Sequence, residues 1–236
     1  MKALLYWVLI PALLPVFIIL RYVWKLDRYE REPINFVLKA VLFGAIFSLP
    51  VAFIERFMVG MLPNYFSVET VEYGLAENVI CVGLIEELSK LLAFMFIVWK
   101  NPNFDHRYDG IVYGVAVSLG FAGLENILYV FNFGTQVSIG RAIFAIPGHA
   151  TFGVFMGYYL SRAKHCEIKG NWFGKFFFLI FAITFPTVIH GIYDFLLSSQ
   201  ARDAGFTYGF FIVFVLVLDF IAWRKIKHEF KTDRML

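Results

Sequence analysis

Glu86 and Glu87 stand side by side inside residues 79–99, an apolar run long enough to cross a bilayer. An ionisable side chain at the centre of a membrane helix costs about 2.5–3.5 kcal/mol on insertion scales, so two adjacent ones call for a chemical reason. Glu125, His149, His190 and Asp194 follow inside other apolar runs. Carboxylates can act as general bases and imidazoles as proton donors. The spacings are suggestive. Lys90 follows Glu86 by four residues and Glu87 by three, so on a helix it can pair with either carboxylate. Asp194 follows His190 by four, on one helical face, where it can fix the orientation of the ring. Taken singly, each has a plain reading: a structural ion pair, or an interhelical hydrogen bond from His149. Cys81 has no histidine near it in sequence and reads as a packing thiol.

The elements that must carry these groups are membrane helices. The chain of 236 residues is 60% hydrophobic and only 17% charged, with a mean hydropathy of +0.70. Soluble domains average about 25% charged residues. With roughly 20 apolar residues needed per span, we count about seven spans, at residues 3–24, 34–54, 79–99, 110–133, 142–160, 174–198 and 207–223. The expected fold is an all-α, polytopic transmembrane bundle forming one domain over 1–236, with its motif-bearing core at 79–198. The longest connection, 55–78, is acidic and part-aromatic and is read as a surface loop. Gly120 and Gly123 before Glu125, and Gly148, Gly153 and Gly157 around His149, would let helices approach closely. Trp7, Trp24, Trp99, Trp172 and Trp223 lie near span ends and read as an interfacial belt.

Basic residues set the orientation. One set of flanks carries Lys25, Arg28, Arg31, Lys100, Arg107, Arg162, Lys164, Lys169, Lys175 and a tail cluster from Arg224 to Arg234. The other carries Lys2, Arg56, Arg141 and Arg202. The N-terminus is therefore expected outside and the C-terminus in the cytoplasm. Cys81 and Cys166 then fall on opposite sides of the membrane and cannot pair. The net charge of +3 reflects the cytoplasmic flanks and gives no reason to expect a nucleic-acid partner.

At about 1.5 Å of rise per residue, Glu86 lies about 11 Å below the outer surface, Glu125 about 12 Å, His149 about 10 Å, His190 about 12 Å and Asp194 about 6 Å. Four helices thus deliver ionisable groups to one shallow layer. A proton-coupled transporter, the competing class, would step such groups across the membrane.

The motifs resemble a known family. Glu86-Glu87-Leu88-Ser89-Lys90 is an EExxK motif, and Phe121 to Glu125 is FxxxE. His149 to Gly153 is HxxxG, and His190 to Asp194 is HxxxD. In this order, on successive spans, they resemble the PrsW family of membrane proteases, distant relatives of the CAAX prenyl protease and bacteriocin-processing group. The resemblance implies an intramembrane endopeptidase that cuts single-span, membrane-anchored substrates on their outer side, an anti-sigma factor in the best-known cases. Residue by residue, Glu86 and Glu87 match the catalytic glutamate pair, while Glu125, His149 and His190 match polar active-site positions. The expected setting is a bacterial cell membrane.

With no serine or cysteine paired to a base, a glutamate-activated water is the expected nucleophile, Glu86 or Glu87 being the base and His190, oriented by Asp194, the proton donor. His149 and Glu125 would bind the water or the peptide. No metal and no other cofactor is expected, HExxH and thiolate clusters being absent. A zinc shell built from the same histidines and glutamates is the alternative.

Overall fold

The computed structural model describes residues 2–27, 30–134 and 136–236; the side chains of 2–9, 11, 12 and 138 also lie outside the description. Arg28 of the basic set, and the side chains of Lys2 and Trp7, therefore fall outside it. Among the described residues all regular structure is helical, apart from one isolated bridge between His106 and Met235.

The order is α1 (Lys2–Leu26), α2 (Ile34–Ser48), α3 (Val51–Met61), α4 (Val71–Leu75), α5 (Ile85–Ile97), α6 (Asp109–Phe133), α7 (Gln136–Gly140), α8 (Ile146–Ile168), α9 (Trp172–Phe195), α10 (Ser199–Asp203) and α11 (Tyr208–Lys231). Two π-helical segments, Ala76–Leu84 and Arg141–Ala145, lead into α5 and α8 without a break. Among the described residues, four stretches are long and apolar enough to cross a membrane: Ile34–Asn64, Asp109–Phe133, Arg141–Ile168 and Trp172–Phe195. Exposed Phe53, Phe57, Phe96 and Phe173 give the bundle an apolar outer surface suited to lipid.

α6 is the central post. It is apolar around its whole circumference, and residues 109–123 are buried without interruption. Small residues let its neighbours close on it from two sides. A Cβ on Gly157 would fall 1.9 Å from the Gly110 carbonyl oxygen, and one on Gly120 would fall 1.9 Å from that of Val41. α8 and α2 therefore approach α6 backbone to backbone, as small residues permit in membranes. α9 is held the same way, because a Cβ on Gly191 would meet Val79 Cα at 2.5 Å. Gly123 is different: its nearest neighbour would be a Leu13 methyl at 3.4 Å, an ordinary contact.

Several sequence expectations need correction. Residues 55–78 are not one loop. Pro50 starts α3, which continues to Met61, and Thr70 caps α4 by accepting the Tyr73 N–H at 3.2 Å. Glu55 and Arg56 interrupt the hydropathy without breaking the helix. Trp99 does not join an interfacial belt. It is buried against Phe104, with the Lys164 and Lys175 ammoniums over its ring, whereas Trp172 and Trp223 are exposed. Cys81 is buried, Cys166 partly so, and both are free thiols.

Candidate active site

Glu86 and Glu87 occupy the first turn of α5, directly after the nine-residue π segment. Adjacent helical residues project about 100° apart, and the two carboxylates diverge accordingly. Glu86 lines a cavity of about 570 Å³. Glu87 lies behind it with no exposed surface, outside the cavity lining.

Lys90, also fully buried, ties the pair together. Its Nζ is 2.6 Å from Glu87 Oε1 and 3.1 Å from Glu86 Oε2, and it sits over the Phe121 ring. It also reaches another helix, donating to His149 Nδ1 at 2.9 Å. An ammonium has donors only, so Nδ1 must accept and the His149 proton lies on Nε2. That nitrogen faces Glu125 Oε2 at 3.1 Å, and Arg141 Nη2 holds the same oxygen at 2.9 Å. His149 is positioned at the start of α8, again immediately after a π segment.

His190, on α9, has a carboxylate on each side: Glu87 Oε1 is 2.9 Å from Nδ1, and Asp194 Oδ2 is 3.2 Å from Nε2. The Phe152 ring stacks on it at 4.6 Å. Both ring nitrogens can therefore donate.

The residues singled out from sequence thus converge. Glu86, Glu125, His149, His190 and Asp194 line the one cavity, with Glu87 and Lys90 immediately behind. Glu86 Oε2 stands 3.9 Å from His149 Nδ1 and 3.9 Å from His190 Nε2.

Sequence reasoning missed three charged lining residues. Glu55 and Glu77, assigned to a loop, line the cavity from α3 and from the first π segment. Arg141, counted among outer flank charges, sits over Tyr129 and pairs with Glu125. Its position eight residues before His149, two helical turns back on the same face, was a signal that could have found it.

Glu86, His149 and His190 offer ligand atoms that all lie within 4.8 Å of one another, and two imidazoles with a carboxylate are a donor set that catalytic zinc uses. The histidine lone pair does not fit. Lys90 already holds Nδ1 of His149, whose Nε2 turns to Glu125, and the same ammonium donates to Glu86 Oε2. A dication there would lie beside a buried ammonium.

Comparison with known proteins follows the same lines. The family model described as PrsW family intramembrane metalloprotease matches residues 32–221. Protease PrsW of Geobacillus kaustophilus (strain HTA426) is 37% identical over 210 residues, covering 89% of this chain and 86% of its own length. Protease PrsW of Halalkalibacterium halodurans is 32% identical, covering 96% and 98%. Protease PrsW of Bacillus subtilis (strain 168) is 34% identical, covering 80% and 81%. No solved structure matches the chain. The buried glutamate and histidine network on membrane-capable helices, the family match and these full-length relatives lead to one conclusion: the chain belongs to the PrsW family of intramembrane proteases and is a membrane peptidase.

Proposed function

We propose that this chain is a multi-pass protein of the bacterial cell membrane that hydrolyses a peptide bond of a single-span, membrane-anchored protein, with Glu86 activating the attacking water. The observation that carries this reading is the division of the glutamate pair. Glu86 faces the cavity between two imidazoles, while Glu87 is sealed behind it by Lys90 and His190. Glu86 takes a proton from water as the oxygen attacks the scissile carbonyl. His190 Nε2–H, on the same cavity wall, exchanges Asp194 for the developing oxyanion and then protonates the leaving amine, after which the proton taken up by Glu86 passes back to Nε2, 3.9 Å away. Asp194 and Glu87 orient that ring from both sides. His149 and Glu125, fixed by Lys90 and Arg141, hold the peptide.

The family description, metalloprotease, implies a metal. A bound zinc would supply a polarised water at neutral pH. The lone-pair arrangement around Lys90 argues for hydrolysis by the glutamate instead, the cation at this centre being the lysine ammonium.

Topology and substrate follow from the same reading. About seven spans, with the N-terminus outside and the tail in the cytoplasm, would set the cavity near the outer face, which suits cleavage of an anti-sigma-factor-like protein. A second, apolar groove of about 510 Å³ shares Arg141, Ala145, Tyr193, Asp194 and Leu197 with the cavity. It supports entry of a membrane-embedded segment from the side. Reporters after Leu236 and near Phe66 should read cytoplasmic and external respectively.

The deciding experiment uses purified protein in proteoliposomes with a single-span model substrate. Cleavage that survives exhaustive chelation and is lost in Glu86→Gln is expected. Stoichiometric zinc, with activity restored by adding it back, would overturn the metal-free mechanism. Ion flux without cleavage would overturn the protease reading of the site.

A further inference from the structure

A second cluster of buried acids lies at the other end of α6. Asp109 is the first residue of that helix, sixteen residues before Glu125, so about 24 Å separates the two along the axis. Asp27 follows α1, and Glu32 stands just before Pro33, the residue that caps α2. The three carboxylates are 1%, 4% and 1% exposed, and each brings an oxygen within 4.8 Å of the others.

Their surroundings differ from those of Glu86 and Glu87 in one respect. Among the described residues no lysine, arginine or histidine forms an ion pair with Asp27, Glu32 or Asp109. Arg31 turns instead to the backbone carbonyl of Asp27 at 3.2 Å. The contacts that position these carboxylates are neutral. Tyr113 Oη donates to Glu32 Oε2, and Asp109 Oδ2 accepts the backbone N–H groups of Asp105 and His106 at 3.0 and 2.6 Å. A separate observation points to a missing ligand: Asp27 Oδ2 is buried and has no hydrogen-bond partner. Buried carboxylate oxygens are ordinarily paired or coordinated, because desolvating them alone is costly.

We infer that Asp27, Glu32 and Asp109 form a binding site for one hard divalent cation, magnesium or calcium. Oxygen-only donors select such ions over zinc, which prefers nitrogen and sulfur. A dication would neutralise the cluster and give Asp27 Oδ2 a partner. It would also clamp the α1–α2 junction to the start of α6. The chain terminus reports on that junction, since Asp233 accepts the Tyr108 N–H at 3.0 Å and the Leu236 N–H donates to the Asp105 carbonyl at 2.7 Å. The competing state is a proton shared in the side-chain hydrogen bond between Glu32 and Asp109.

The test uses the full-length protein in detergent at pH 7.5, stripped by chelation, with Mn²⁺ as an electron-paramagnetic-resonance probe. One Mn²⁺ should bind per chain and be displaced by magnesium or calcium. Asp27→Asn should weaken binding at least tenfold, and Glu32→Gln provides the same readout should the first variant fail to fold. Binding should be unchanged in Glu86→Gln, which alters only the cavity at the far end. The melting temperature of the wild type, not of Asp27→Asn, should rise with magnesium or calcium. No saturable Mn²⁺ binding at millimolar concentration, equal binding in Asp27→Asn and Glu32→Gln, or loss of binding in Glu86→Gln would each overturn the proposal and leave the shared proton as the explanation.

Discussion

Lys90 Nζ lies 2.9 Å from His149 Nδ1, a contact that joins residues 59 positions apart and makes one ammonium the hub of two carboxylates and an imidazole. Removing it should strand the glutamates. Breaking a buried pair typically costs about 3–5 kcal/mol, so Lys90→Met should lower the melting temperature sharply, and Glu87→Gln in the same chain should recover part of the loss. The substitution also frees Nδ1 of His149. Elemental analysis should then find zinc gained by the Glu87→Gln/Lys90→Met variant and absent from the wild type.

The glutamate pair should separate by readout. Glu86→Gln keeps shape and hydrogen bonding but removes the base, and cleavage should fall about 10²-fold or more with melting little changed. Glu87→Gln weakens the contacts to Lys90 and His190 and should lower stability first. Cleavage of a single-span substrate beside thermal melts of both variants checks this. Near-full activity in well-folded Glu86→Gln would remove its assigned role.

Arg141 tests the cavity mouth. Its side chain and that of Glu125 are 18% and 19% exposed, so their pair borders the cavity and its loss should cost less than that of a sealed pair, about 3–5 kcal/mol. Arg141→Gln should lower the melting temperature less than Lys90→Met does. It should reduce kcat/KM on the order of tenfold through misplacement of Glu125 and His149. A large loss of stability with unchanged kinetics would reverse that assignment.

Helix contact should be equally specific. Gly157→Ala drives a methyl into the Gly110 carbonyl, and overpacking of this kind costs about 1–3 kcal/mol. Gly60→Ala, where a Cβ meets nothing within 4 Å, should be neutral or mildly stabilising. Paired melting curves decide the point.

Much of the site was legible because helical periodicity is local. The four-residue steps from Glu86 to Lys90 and from His190 to Asp194 become real contacts at 3.1 and 3.2 Å. Convergence followed from depth, since helices of known rise place groups in layers even when their neighbours are unknown. What periodicity could not supply was the azimuth of each helix. Nothing local in the sequence says that Lys90 also meets His149, or that Glu55 turns inward from α3. The first of these depends on how closely α8 packs on α6, which Gly110 and Gly157 decide. The Asp27, Glu32 and Asp109 cluster was hidden for a related reason. Each residue sits at a helix end, where charge reads as solvated, and only the packing of the α1–α2 junction on the buried start of α6 brings the three together.

The π-helical turns ahead of Glu86 and His149 bear on how chain length can vary in relatives. A π turn holds an extra residue relative to an α turn, so each segment works as a phase setter for the side chain that follows. Losing one residue from 76–84 would rotate everything after it by about 100° and exchange the outlooks of Glu86 and its neighbours. The same loss from 62–70, between α3 and α4, would be absorbed by the connection. Insertions and deletions in related proteins should accordingly collect in the connection and avoid both π segments, where the count of residues is held along with contact-making residues such as Gly83 and Arg141.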